Sequence, residues 1–370
     1  MSRFFLASKM NYLKHKLSAG LDFIRAERIY FLILLFTLAV IVLNHDSSNT
    51  PDEPLASQAV LQLEKASESF DNSVRDISTW VHLLETRPLA VLASTGLILT
   101  FAGLFLGGLI ILILAGLIPR FYDWFQSSAA KLAEPDWKPV ILFQVLVLIF
   151  SFMISSAVLV ECIWGSDSSN ENGIGLFHTL LIDLFACIAA YSLLRKDGLR
   201  WRDLFGKPVQ GQVGEVNRGF AVYVAAFPVF VISLFLVLGI SQWLHYEPPP
   251  HPLVKIFLEE EGRSNYVFHF ALVLATIAAP IFEEIFFRGF CYRLFRSWWG
   301  APGAMGISAA LFAGIHGSGF AFFPIFILGF ALAWLYEKRG NLTACWTFHV
   351  LHNSLFTSYF FVMKALIGNS

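Results

Sequence analysis

Three short stretches place groups capable of acid–base chemistry inside otherwise apolar sequence. "FEEIFFRGF" (282–290) carries Glu283, Glu284 and Arg288, "LFAGIHGSGF" (311–320) carries His316, and "TFHVLHNSLF" (347–356) carries His349 and Asn353. Ionisable groups are costly where water is scarce, so each needs a partner or a task. On one helix Glu284 and Arg288 stand at i and i+4 with the acid N-terminal, the favourable order for a charge pair, and can satisfy each other. Glu283 lies about 100° further round the helix and must face something else. The spacing therefore divides the two carboxylates into a structural one, Glu284, and one available for chemistry, Glu283. His349 and Asn353 share a helical face, again at i and i+4. A carboxylate, two imidazoles and a carboxamide converging in a wet pocket would suffice for hydrolysis, supplying a base for water and donors for an oxyanion.

These groups must be held by membrane-embedded helices. Of the 370 residues 56% are hydrophobic and only 14% charged, about half the charge of an average soluble domain, so the chain reads as an integral membrane protein. The net charge of −1 gives no sign of nucleic-acid binding. Apolar runs long enough to cross a bilayer lie at about 29–43, 89–118, 139–160, 174–194, 220–243, 267–287, 303–318, 320–336 and 343–363. The expected fold class is all-α, a polytopic integral membrane protein of about nine transmembrane helices with a catalytic helical core in its C-terminal half. With the N-terminus in the cytoplasm, most of the 26 Lys and Arg fall on cytoplasmic flanks, which supports this set and puts the C-terminus outside. If spans six and seven form a hairpin turning near "WWGAPG" (298–303), Glu283 and His316 are equidistant from the turn and meet at one depth.

The order Glu-Glu-x-x-x-Arg (283–288), Phe-x-x-x-His (312–316) and His-x-x-x-Asn (349–353), each on an apolar segment, resembles the CPBP family of intramembrane proteases. That family includes the CAAX prenyl proteases of the Ras-converting type and the Abi-like proteins. The resemblance spans roughly residues 265–356. It implies that Glu283 and His316 activate a water molecule, that His349 and Asn353 stabilise the tetrahedral intermediate, and that Glu284 and Arg288 hold the first motif in shape. The implied activity is an intramembrane endopeptidase, cleaving near the C-terminus of a prenylated or other membrane-anchored protein. A different class of function, a transporter or immunity-like factor using the same cluster for binding, would lack turnover. Transporters commonly show pseudo-symmetric halves with broken helices, and the sequence displays neither.

Glu283, His316 and His349 could alternatively form a His2Glu zinc set. HExxH is absent and the resemblance points to a carboxylate working on water, so no cofactor is expected. The expected division is a cytoplasmic amphipathic segment (1–28), an N-terminal membrane region of four spans (29–200) with an external helical segment (44–88), and the protease domain (201–370). In the external segment Val60, Leu63, Ser67, Phe70, Val74, Ile77, Val81 and Leu84 form a one-sided stripe, suited to lying on the membrane or on the protein itself, or to a partner contact. Membrane lipid and a lipidated or membrane-anchored peptide are the expected partners. The expected location is the bacterial inner (plasma) membrane. His178 and His269 read as satisfied core residues, and Cys162, Cys187, Cys291 and Cys345 as small buried apolar ones. His352, three residues after His349, could also face the pocket. Asp183, mid-span without a helical partner of opposite charge, calls for pairing with another helix.

Overall fold

In the computed structural model the described residues are 26–44, 77–126, 137–164, 170–195, 211–246, 252–260 and 265–367, with a few isolated positions between them. All secondary structure among them is helical: α1 (Arg28–Asn44), α2 (Ile77–Thr86), α3 (Pro88–Leu117), α4 (Pro119–Gln126), α5 (Val140–Trp164), α6 (Glu171–Leu194), α7 (Gly211–Trp243) and α8 (Pro252–Glu260). A long helical run follows, made of α9 (Asn265–Val273), a π segment π1 (Leu274–Ala278), α10 (Ala279–Glu284), a second π segment π2 (Ile285–Tyr292) and α11 (Arg293–Ile315). The chain ends in α12 (Gly319–Arg339) and α13 (Leu342–Ile367).

Seven of these helical runs are long and apolar enough to cross a membrane, and α1 is a shorter apolar helix. The 50-residue run 266–315 holds two of the expected spans. Its break is at Gly300, whose φ of 67° and ψ of 178° no helix can accommodate and which a side chain would strain. The return arm packs against the first: Phe287 meets Phe312 edge-on and Ser308 Oγ donates to Phe287 O. The chain is thus a multi-pass integral membrane protein, and large apolar side chains such as Leu89, Ile98, Leu106 and Ile113 of α3 stand exposed where lipid would cover them.

The helices fall into two compact units. In the first, α1 and α5 are joined by Thr37 Oγ1 donating to Ser151 Oγ (2.7 Å) and by Phe31 against Phe143. The second contains α2–α4, most of α6 and α7–α13. Its centre is packed by Tyr223, Phe227, Phe312 and Phe348, all buried. The ends of α7, α11 and α12 are tied by ion pairs. Arg339 grips Glu215 through Nε (2.9 Å) and Nη2 (2.6 Å), and Arg296 reaches Glu337 while Tyr292 Oη donates to the same carboxylate. Buried charges of this kind require partners, and the Glu215–Arg339 pair has geometry to match. At Gly329 α12 passes so near α11 that a Cβ would sit 3.1 Å from Ala309 Cα.

Some expectations are corrected. In α2 the stripe residues Val81 and Leu84 are exposed, as a face turned to lipid would be, and Leu83 is buried against Val91 and Leu366 beside Trp80. Val60, Leu63, Ser67, Phe70 and Val74 lie outside the described residues, as does most of 1–28. Cys187, Cys291 and Cys345 are buried but Cys162 is exposed; all four are free. His269 is exposed on α9, edge-on to Phe268, rather than in the core. His178 is half-buried.

Candidate active site

The site is built around α10, six residues held between two π segments. In π1 the Ala279 N–H reaches Leu274 O, five residues back. The next amide, which in this register would reach Ala275 O, belongs to Pro280 and has no hydrogen. The carbonyl of Ala275 is thereby left by its own helix, and Asn353 Nδ2 donates to it at 2.9 Å. A buried carbonyl needs a donor, so this bond both satisfies π1 and fixes α13 against it. Trp346 Nε1 makes a longer bond to Ile277 O (3.5 Å), two residues further along.

The two glutamates of α10 differ sharply in environment. Glu284 is 1% exposed and Glu283 21%. Arg288, fully buried, donates from Nη1 to Glu284 Oε1 (3.0 Å) and from Nη2 to Gly329 O (3.0 Å), and its guanidinium lies 4.7 Å from the Phe312 ring centre. The expected Glu284–Arg288 pair therefore forms across the start of π2. His349 adds what spacing could not show, because its ring bridges both acids. Nδ1 is 2.8 Å from Glu284 Oε1 and Nε2 is 3.6 Å from Glu283 Oε2.

A cavity of about 500 Å³ brings Glu283, His316, His349, His352 and Asn353 to one surface, with Phe312 beneath. The hairpin argument is matched in that Glu283 and His316 line the same cavity from opposite arms. His316 Nδ1 lies 2.7 Å from Phe312 O. A carbonyl can only accept, so that nitrogen carries the proton and Nε2 is left as an acceptor. Leu253 and Phe257 of α8 and Phe356 and Phe360 of α13 extend the apolar wall. His352 packs against Tyr223, Phe230 and Phe356. Asp183 is an electrostatic neighbour of Glu283. Nearby, Cys187 donates from Sγ to Phe282 O. Among the described residues no three His, Cys, Asp or Glu side chains are grouped to hold a metal ion.

A partly exposed carboxylate, a histidine, a second histidine wedged between acids and a carboxamide thus line one cavity. Residues 265–355 match the Rce1-like family. The family is described as type II CAAX prenyl endopeptidase Rce1-like, and the match covers about a quarter of the chain. No curated protein and no solved structure gives a significant match. The Rce1-like segment begins at α9 and ends within α13, so it contains Glu283, Glu284, Arg288, His316, His349 and Asn353. It supports an endopeptidase of CAAX type working within the membrane. The cavity walls from α8 and the outer part of α13, Phe257 and Phe360 among them, lie beyond it.

Sequence reasoning missed the Ala275 carbonyl, the Gly329 carbonyl and the bridging role of His349. Pro280 was the available signal for the first, since a proline inside a helix always releases a carbonyl upstream. The other two depend on contacts between helices and leave no local trace.

Proposed function

We propose that the protein is an intramembrane endopeptidase that hydrolyses a peptide bond near the C-terminus of a prenylated, CAAX-type, or other membrane-anchored protein. The observation that carries this reading is the convergence of Glu283, His316, His349 and Asn353 on one cavity within the Rce1-like segment. Glu283, assisted by Nε2 of His316, takes a proton from water as its oxygen attacks the scissile carbonyl carbon. The carbonyl oxygen becomes an oxyanion, and His349 and Asn353 stabilise the tetrahedral intermediate: the Asn353 amide donates to the oxyanion, and Nε2 of His349 accepts from the new hydroxyl group. Collapse breaks the C–N bond, and the proton held by Glu283 passes to the leaving amine. Glu284 and Arg288 hold the first motif in place.

No metal enters this scheme. The protease domain proper is 201–370, with 29–200 as an N-terminal membrane region and 44–88 as an external helical segment suited to lying on the membrane or on the protein itself, or to a partner contact. The protein sits in the bacterial inner membrane with its N-terminus in the cytoplasm. A second reading, in which the cluster binds without cleaving, draws on the engagement of the Asn353 amide with Ala275 O. Incubating the purified protein, in lipid nanodiscs, with matched prenylated and unprenylated CAAX peptides and identifying products by mass spectrometry tests the proposal. Cleavage lost in Glu283→Gln is the expected result. Intact peptides under all conditions, with binding retained, would favour the second reading.

A further inference from the structure

We propose that Glu284 is a positioning residue for His349, fixing which ring nitrogen carries the proton and so aiming Nε2 at the reacting groups. This rests on the peptidase reading and deepens it. The Glu284 carboxylate, held by Arg288 at 3.0 Å, offers an acceptor 2.8 Å from His349 Nδ1. A carboxylate accepts and does not donate, so Nδ1 carries the hydrogen. The ring is then oriented with Nε2 towards Glu283 and the cavity, and Glu284 is too buried to reach the cavity's reacting atoms itself.

The charges around the ring agree with this arrangement. Glu283, Glu284 and Arg288 face it from the long helical run, Cys345 and His352 lie on its own helix, His316 shares the cavity, and Asp183 is an electrostatic neighbour of Glu283. Arg288 is turned to Glu284 and to Gly329 O, leaving the Glu284 oxygen nearest the ring to accept from both a guanidinium and an imidazole. The arrangement has the logic of a buried acid behind a catalytic imidazole, in which the acid sets tautomer and orientation without touching substrate. It assigns Glu284 a task beyond neutralising Arg288.

The test uses the full chain in detergent micelles with ¹⁵N-labelled histidine. The His349 signals are assigned by their loss in His349→Gln. In the wild type Nδ1 should show the shift of a protonated nitrogen. Glu284→Gln keeps an oxygen acceptor and should keep that tautomer, whereas Glu284→Ala should populate the form protonated at Nε2. On a quenched-fluorescent lipopeptide kcat of the alanine variant should fall at least about 10²-fold, with KM little changed, and the glutamine variant should recover part of the loss. An unprotonated Nδ1 in the wild type overturns the proposal, and that spectrum decides even if the alanine variant does not fold. A folded Glu284→Ala protein with Nδ1 still protonated overturns it as well. Because the spectrum needs no substrate, the two readings fail separately. A wild type that cuts no peptide but shows the tautomer change upholds the positioning and removes the peptidase, and active wild type with no tautomer change does the reverse.

Discussion

Asn353 Nδ2 lies 2.9 Å from the carbonyl oxygen of Ala275 and donates to it, joining α13 to the π segment that precedes the two glutamates. One amide hydrogen is committed there, and the second remains for an oxyanion. Asn353→Ala should lower kcat by about 10²–10³-fold, the usual loss for one such donor, with a smaller effect on KM. Asn353→Asp should be at least as damaging, because a carboxylate would meet the Ala275 carbonyl acceptor to acceptor. Steady-state kinetics of both variants on one lipopeptide check this, and an aspartate variant with full kcat would remove Asn353 from the oxyanion role.

Pro280 offers a test of the same bond from the other side. Pro280→Ala restores an amide hydrogen that can compete for the carbonyls π1 releases. The helix should be no less stable, with a local change of register the only structural effect, yet kcat should fall by up to about 10²-fold as Asn353 and α10 lose their setting. Thermal unfolding measured beside kcat separates the two effects.

Glu283 is the more accessible of the paired acids. Glu283→Gln should leave the melting temperature close to wild type while turnover drops by about 10²–10⁴-fold, as expected for a lost general base. Peptidase activity near wild type in that variant would sink the glutamate mechanism.

Away from the cavity, Glu215 is fully buried and held by both Nε and Nη2 of Arg339. Glu215→Ala strands a buried guanidinium and should cost about 3–5 kcal/mol. Differential scanning fluorimetry should show a lower melting temperature, while kcat per folded molecule stays within about twofold because the pair lies outside the site.

Gly329 has no room for a side chain: a Cβ would meet Ala309 Cα and Phe312 Cδ1, each at 3.1 Å. Gly329→Val should push α12 from α11 and move the carbonyl that Arg288 binds. The expected cost is about 1–3 kcal/mol, read as a lower melting temperature, with a fall in kcat as Arg288 and Glu284 shift.

Much of this architecture can be read from composition. Uninterrupted apolar runs delimit the helices because lipid forbids an unpaired backbone, and the turn expected near 298–303 is the break at Gly300 within one 50-residue run. The order of acids, histidines and asparagine likewise points to one cavity, and the i, i+4 rule identifies Glu284 and Arg288 as a pair. What stays hidden is any contact made across helices. The i, i+4 rule separates the acids by angle on one helix, but only the approach of α13 shows that His349 touches both. The stripe residues Val81 and Leu84 carry the same limit. Periodicity finds an apolar face without saying whether lipid or protein covers it, and in α2 the packed residue is Leu83.

The paired π segments also set a phase. Each wide turn holds about one residue more than an α turn, so it delays the rotation of everything after it by roughly 100°. The six residues of α10 are therefore clocked independently of the helix on either side. Deleting a single residue from the α-helical stretch before π1, with both wide turns kept, would swing the acids round together by that same 100°, turning Glu283 from its cavity without altering one catalytic side chain. Composition and motif order would survive such a deletion intact, so a chain carrying every required letter could still be out of step.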